Sequence, residues 1–150
     1  MKMASKAECG ENNMLYAREY DVKKDDFAAA GEVSARIKRK LKQIGIDASL
    51  IRKIAIASYE AEINMIIHSY GGVMSIELDE DNIIIKCVDT GPGIPDIELA
   101  MKEGYSTAPQ SIREMGFGAG MGLANINKNS DNMEITSSPE GTTITMKFSF

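Results

Sequence analysis

The sequence has no tryptophan, one histidine, two cysteines and four prolines, and only 6% of its 150 residues are aromatic. Each scarcity removes something. Cys9 and Cys87 lie far apart, with neither a CxxC spacing nor a nearby histidine, so a metal or redox centre built on sulfur is not expected. Cys87, inside an apolar run, reads as a small buried hydrophobe. No run of eighteen apolar residues occurs, which excludes a membrane-spanning helix. The opening MKMASKAECGENN is polar and lacks the apolar stretch of a secretory signal. Residues 1–13 are therefore expected to be a frayed, disordered tail, and the protein cytoplasmic. Neither G-x-x-x-x-G-K-[ST] nor G-x-G-x-x-G is present, so a Walker P-loop and a dinucleotide-binding turn are both out. Net charge is −5, and the basic group Lys38, Arg39, Lys40 and Lys42 falls on the outer face of a helix. That is the pattern of a solvated face, and nucleic-acid binding is not indicated.

What is there suffices for one domain, residues 14–150. At 43% hydrophobic the chain can bury a core unaided. MLYAREYDV reads as a leading strand. In the segment that follows, Val33, Ile37, Leu41 and Ile44 share a helical face, with Asp25 or Asp26 as the expected cap and Gly45 as the stop. Asp47 is expected to cap a second helix, Ala48 to Ser69, apolar nearly all round and therefore central. VMSIELD and NIIIKCVD form a hairpin about Glu80-Asp81. DIELAMKEG reads as a short helix, YSTAPQSIREMGFGAG as a loop and MGLANINKNS as a helix. MEITSS and TTITMKFSF are strands about Pro139-Glu140-Gly141. Strands adjacent in sequence imply an α+β two-layer sandwich: a mixed, mostly antiparallel sheet with helices on one face.

Three segments carry chemistry. In YEAEINMIIHSYGG, Glu60, Asn64 and His68 are spaced by four, so each lies about 40° further round the helix than the last and all share one edge. A carboxamide there can give an oxygen to magnesium, which keeps waters and takes phosphate oxygens for the rest. A carboxylate one turn away can orient or deprotonate a nucleophile. In CVDTGPGIP, a strand ends at Asp89, whose carboxylate can accept from an exocyclic amine such as adenine N6. Gly91 and Gly93 permit close backbone approach. In GFGAGMGLANI, Gly116, Gly118, Gly120 and Gly122 precede a helix, freeing N–H groups that suit phosphate. Taken singly, each has a plain alternative: a carboxylate and amide bonded to neighbours, a Gly-Pro turn, a flexible linker.

Together and in this order, the three resemble the boxes of the GHKL family (gyrase, Hsp90, histidine kinase, MutL), whose ATP site is the Bergerat fold. Glu60-x-x-x-Asn64 resembles the N box, Asp89-x-Gly91-x-Gly93 the first glycine box, and Gly120-x-Gly122-Leu123 the second. With no helix pair carrying a phosphoacceptor histidine, the chain looks most similar to the anti-sigma factor and stressosome-type switch-protein serine kinases. NINKNSD departs from the more apolar and basic stretch typical there.

The resemblance implies ATP and Mg2+ as cofactors, with Asn64 coordinating the metal and Glu60 preparing a serine or threonine hydroxyl. It implies Asp89 on adenine, and Gly91, Gly93 and Ile94 beneath the base. Ser106, Thr107, Gly118, Gly120, Met121, Gly122 and Leu123 would line the phosphates, and Thr143 of GTT would sit near adenine. Tyr105 and Arg113 flank or occupy the lid without an assigned role. Glu62, about 200° from Glu60, is expected to be structural, and His68 carries no catalytic assignment. The implied function is a serine/threonine kinase acting on a STAS-type antagonist protein. The alternatives are an ATP-gated anti-sigma factor that sequesters a sigma factor, and a stand-alone ATPase. Family members often form a homodimer.

Overall fold

Alternating apolar and polar side chains place five strands in one sheet: β1 (Tyr16–Val22), β2 (Gly72–Leu78), β3 (Asn82–Asp89), β4 (Asn132–Ser138) and β5 (Gly141–Ser149). The computed structural model describes residues 14–102 and 122–150. The strand order is β1-β2-β3-β5-β4. Every described pairing is antiparallel, more uniform than the mixed sheet expected. The β2–β3 turn is organised by Asp79, whose Oδ1 accepts the N–H groups of Asp81 and Asn82, each at 2.8 Å. One face of the sheet carries Met74, Ile76, Ile83, Ile85, Ile144, Met146 and Phe148, all buried. The other is solvated, with Lys86, Glu134, Thr136 and Lys147 exposed. The helices cover the apolar face, giving the two-layer α+β sandwich.

Helix α1 (Glu32–Ile44) buries Val33, Ile37 and Leu41, while Ile44, at the helix end, remains 40% exposed. Its start differs from expectation. Asp25 and Asp26 do not cap it; Phe27–Ala29 form a 3-10 turn first, and Gly31 precedes the helix. The cap comes from thirty residues away. Glu62 Oε2 accepts the N–H groups of Gly31 (3.1 Å) and Val33 (3.2 Å), and Oε1 accepts that of Ser34 (3.0 Å). A carboxylate at a helix N-terminus satisfies orphan amides and meets the positive end of the helix dipole. This is why a 2%-exposed glutamate is tolerated in the core.

Helix α2 (Ala48–His68) is capped as expected: the Asp47 side chain accepts the Ser49 N–H at 3.1 Å. It is the central helix, with Ile51, Ile54, Ala57, Ala61, Ile63, Met65 and Ile66 buried. Each large side chain contributes roughly 1.5–3 kcal/mol of burial. Helix α3 is one turn, Ile97–Ala100, capped by Asp96 through the Leu99 N–H at 3.0 Å. Helix α4 (Gly122–Asn129) buries Leu123, Ala124 and Ile126. Cys87 is buried on β3, and desolvation pushes its thiol up to about 12. It is inert packing; Cys9 lies outside the described residues. Among the described residues no helix is long and apolar enough to cross a membrane.

Candidate functional site

Helix α2 presents one polar edge to α4. Glu60 Oε2 accepts a hydrogen bond from Asn125 Nδ2 at 2.9 Å. One turn on, the Asn64 carboxamide faces the first residue of α4. A Cβ added at Gly122 would stand 3.2 Å from both Asn64 Nδ2 and Oδ1. Position 60 opposes 125 and position 64 opposes 122, so the two helices run antiparallel along this edge. Any side chain at 122 would press on the Asn64 amide.

A second cluster lies at the end of the sheet. Asp89, last residue of β3, shares the helix-covered face with Cys87 and is half-buried. Its Oδ1 accepts the backbone N–H of Thr142 at 3.0 Å. Desolvation raises its pKa above the usual carboxylate value, and the Thr142 N–H opposes that shift without cancelling it. Among the described residues nothing bonds Oδ2. A partly desolvated carboxylate with one oxygen held and one to spare is suited to a hydrogen-bond donor such as an amino group. Beside it, Thr142 Oγ1 and Ser137 Oγ lie 2.8 Å apart, and Ser137 Oγ accepts the Ile94 N–H at 2.7 Å. These bonds tie the ends of β3, β4 and β5 to the Gly91–Gly93 turn. The turn is tight: Gly93 has φ +79°, and a Cβ there would collide with the Ser138 carbonyl. A Cβ at Gly141 would collide with the Asp89 carbonyl.

The two clusters are joined by α2. Gly91 packs on its end, where an added Cβ would lie 3.1 Å from Ser69 Cα. Nine residues separate Glu60 from Ser69, about 14 Å of helix rise. An extended nucleoside triphosphate reaches about that far from base to terminal phosphate. Asn64 lies between. Among the described residues no group of three His, Cys, Asp or Glu side chains could hold a metal ion. The Asn64 amide oxygen is of the ligand type that magnesium accepts beside water and phosphate oxygens.

A family model described as "Histidine kinase-like ATPase domain" matches residues 24–148. The chain belongs to this family. Among relatives of this histidine kinase-like ATPase domain, an anti-sigma F factor from Clostridium acetobutylicum is 35% identical over 106 residues, 67% of this chain and 71% of that protein. One from Bacillus licheniformis is 38% identical over 92 residues, 57% of this chain and 60% of that protein. One from Pasteuria penetrans is 34% identical over 95 residues, 58% of this chain and 60% of that protein. The chain thus spans about 60% of the length of two of these relatives. Two solved structures share the fold. The RsbU and RsbW domains of a Mycobacterium tuberculosis protein superpose with TM-score 0.59 at 22% identity, covering 87% of this chain and 32% of that one. The SiaB-SiaC complex of Pseudomonas aeruginosa gives TM-score 0.53 at 9% identity, covering 93% and 92%.

Within this ATPase domain, the residues picked out by motif fall unequally. Glu60, Asn64 and Gly122 come together along the α2–α4 edge, and Asp89, Gly91, Gly93 and Ile94 form the turn at the sheet's end. Leu123 is a core side chain, 7% exposed. Thr143 is on the wrong face. Residues of a strand alternate, and Thr142 is buried beside Ile144 and Met146 whereas Thr143 shares the solvated face with Thr145 and Lys147. Thr142 meets Asp89 instead. Tyr105, Ser106, Thr107, Arg113, Gly118, Gly120 and Met121 lie outside the described residues. Asn125, Ser137 and Thr142 were not picked out from the motifs. Strand parity could have found Thr142; nothing local marks the other two.

Proposed function

We propose that the protein is a Mg-ATP-dependent serine/threonine kinase that phosphorylates a STAS-type antagonist protein in a partner-switching system. The observation that carries this reading is the pair Glu60 and Asn64 on one edge of α2, together with the half-buried Asp89 at the end of β3, where the Gly91 turn packs on the end of that same helix. When bound, Mg-ATP would supply the transferable phosphoryl group, and the cation would offset phosphate charge. Asp89 receives the adenine amino group on its spare oxygen. Gly91, Gly93 and Ile94 form a backbone floor beneath the base. Asn64 gives its amide oxygen to the cation, beside the start of α4 at Gly122, while Ser106, Thr107, Gly118, Gly120 and Met121 belong to the phosphate-binding stretch. Glu60 also lines an open groove of about 480 Å³ between α1 and α2, together with Lys38, Ile56 and Tyr59. Through that groove a hydroxyl from another protein reaches the carboxylate, which orients it and takes its proton.

The relatives named anti-sigma F factor support a second reading, an ATP-gated protein that sequesters a sigma factor in the cytoplasm. A homodimer accords with either reading, because β1 and β4 are the sheet's edge strands. Incubation with γ-labelled ATP, magnesium and candidate STAS domains tests the kinase. Label appearing on a STAS serine or threonine is the expected result. Bound ATP without transfer, together with co-purification of a sigma factor, would favour sequestration.

A further inference from the structure

Glu60 is held by a residue that no motif assigns. We infer that Asn125 is a positioning residue for Glu60, an inference that rests on the kinase reading above. A half-buried glutamate has three rotatable side-chain bonds, and left alone would still sample several orientations. Here one carboxylate oxygen is pinned. Asn125 Nδ2 donates to Glu60 Oε2 at 2.9 Å across the α2–α4 edge.

Asn125 is itself well anchored. Its neighbours Ala124 and Ile126 are buried, and its backbone carbonyl accepts a hydrogen bond from Asn129 Nδ2 at 2.8 Å. The donor is therefore delivered from a packed helix rather than a loop. Pinning Oε2 leaves Oε1 to meet the incoming hydroxyl, and Glu60 lines the groove from which that hydroxyl arrives. An amide is the right chemistry for this task. It carries no charge, so it fixes the carboxylate without neutralising it, whereas a lysine or arginine would form an ion pair and blunt the base. The same amide cannot take the acceptor's proton at neutral pH, so it orients without competing.

The arrangement predicts a dependence that runs through Glu60 alone. The purified protein is assayed for phosphoryl transfer to a STAS domain at saturating and limiting ATP, as wild type, Asn125→Ala, Asn125→Asp and Asn125→Gln. Transfer kcat should fall about tenfold or more in Asn125→Ala. It should fall further in the isosteric Asn125→Asp, which loses the donor and sets a second carboxylate beside the first. It should recover in part in Asn125→Gln, which keeps the donor at a longer reach. KM for ATP should move by less than about twofold, since binding before the chemical step does not use Glu60. Thermal unfolding should match wild type in the Gln variant, whereas the Asp variant loses some stability to the repulsion of its paired carboxylates. Combining Asn125→Ala with Glu60→Ala should be no worse than Glu60→Ala alone, the non-additivity of residues that act as a unit. Full kcat in Asn125→Ala, or an additive double variant, overturns the inference while a dead Glu60→Ala leaves the kinase reading standing. A wild-type chain that binds ATP and transfers to no acceptor overturns both.

Discussion

Glu60 and Glu62 stand two residues apart on one helix and their carboxylates face opposite ways, Glu60 toward Asn125 of α4 and Glu62 into the backbone amides that open α1. Helical geometry separates them by about 200°. Identical side chains thus take unrelated tasks, one at the candidate site and one in the scaffold, and substitution should distinguish them cleanly.

Glu62→Ala leaves three buried or part-buried N–H groups without an acceptor. The expected cost is about 3 kcal/mol or more of folding stability, since hydrogen bonds to charged groups contribute ~1.5–3 kcal/mol each and orphaned amides add to the loss. Urea unfolding followed by circular dichroism measures it. A change below about 1 kcal/mol would mean that water replaces the carboxylate.

Glu60→Ala should fold and bind ATP as wild type does, because its only described partner is the half-buried Asn125 amide between two helices. Transfer to the acceptor should fall by roughly 10²–10⁴. Wild-type transfer in this variant would remove Glu60 from the chemistry.

Asp89→Asn keeps an oxygen for the Thr142 N–H but replaces the spare acceptor with a donor. Nucleotide binding should be lost with the fold intact, as read by calorimetry and circular dichroism. The pH dependence follows from the raised Asp89 pKa. A carboxylate harder to ionise in the folded chain weakens the unliganded fold as pH climbs from the ordinary value of 3.8 through the raised one. An amino group donating to it favours the ionised form, so nucleotide binding releases a proton in that window. Affinity should therefore rise with pH until Asp89 is ionised, and then level. Calorimetric titrations from the ordinary carboxylate range upward, until affinity levels, should show this in wild type.

Thr142→Val removes the hydroxyl that meets Ser137 and should cost about 1 kcal/mol of stability, with weaker nucleotide binding through the loosened turn. Thr143→Val, on the solvated face, should stay within about 0.5 kcal/mol of wild type and bind nucleotide normally. Equal effects from the two would contradict the strand parity.

Much of this arrangement could be read from local periodicity. The four-residue step from Glu60 to Asn64, the Asp47 cap, the Gly45 stop and the alternation in β5 are all relationships within a single element, and all recur in the structure. What escaped depends on chain folding back on itself. Asp25 and Asp26 lie just before α1 in the chain, but a glutamate thirty residues later arrives at its N-terminus through helix packing. Asn125 reaches Glu60 across sixty-five residues, and Ser137 reaches Ile94 across forty-three. Thr143 and Thr142 differ by one position along a strand, where a single step inverts the face.

The crowding at Gly93 and Gly141 bears on how sequence variation at this site should be interpreted. Where β3, β4 and β5 meet, backbone carbonyls of Ser138 and Asp89 occupy the volume that a side chain at Gly93 or Gly141 would need. Alanine at either position would pry the strand ends apart and silence the protein without removing a single ligand contact. In a mutational scan Gly141 would look like a recognition residue, although it is a gap kept open for its neighbour's peptide bond.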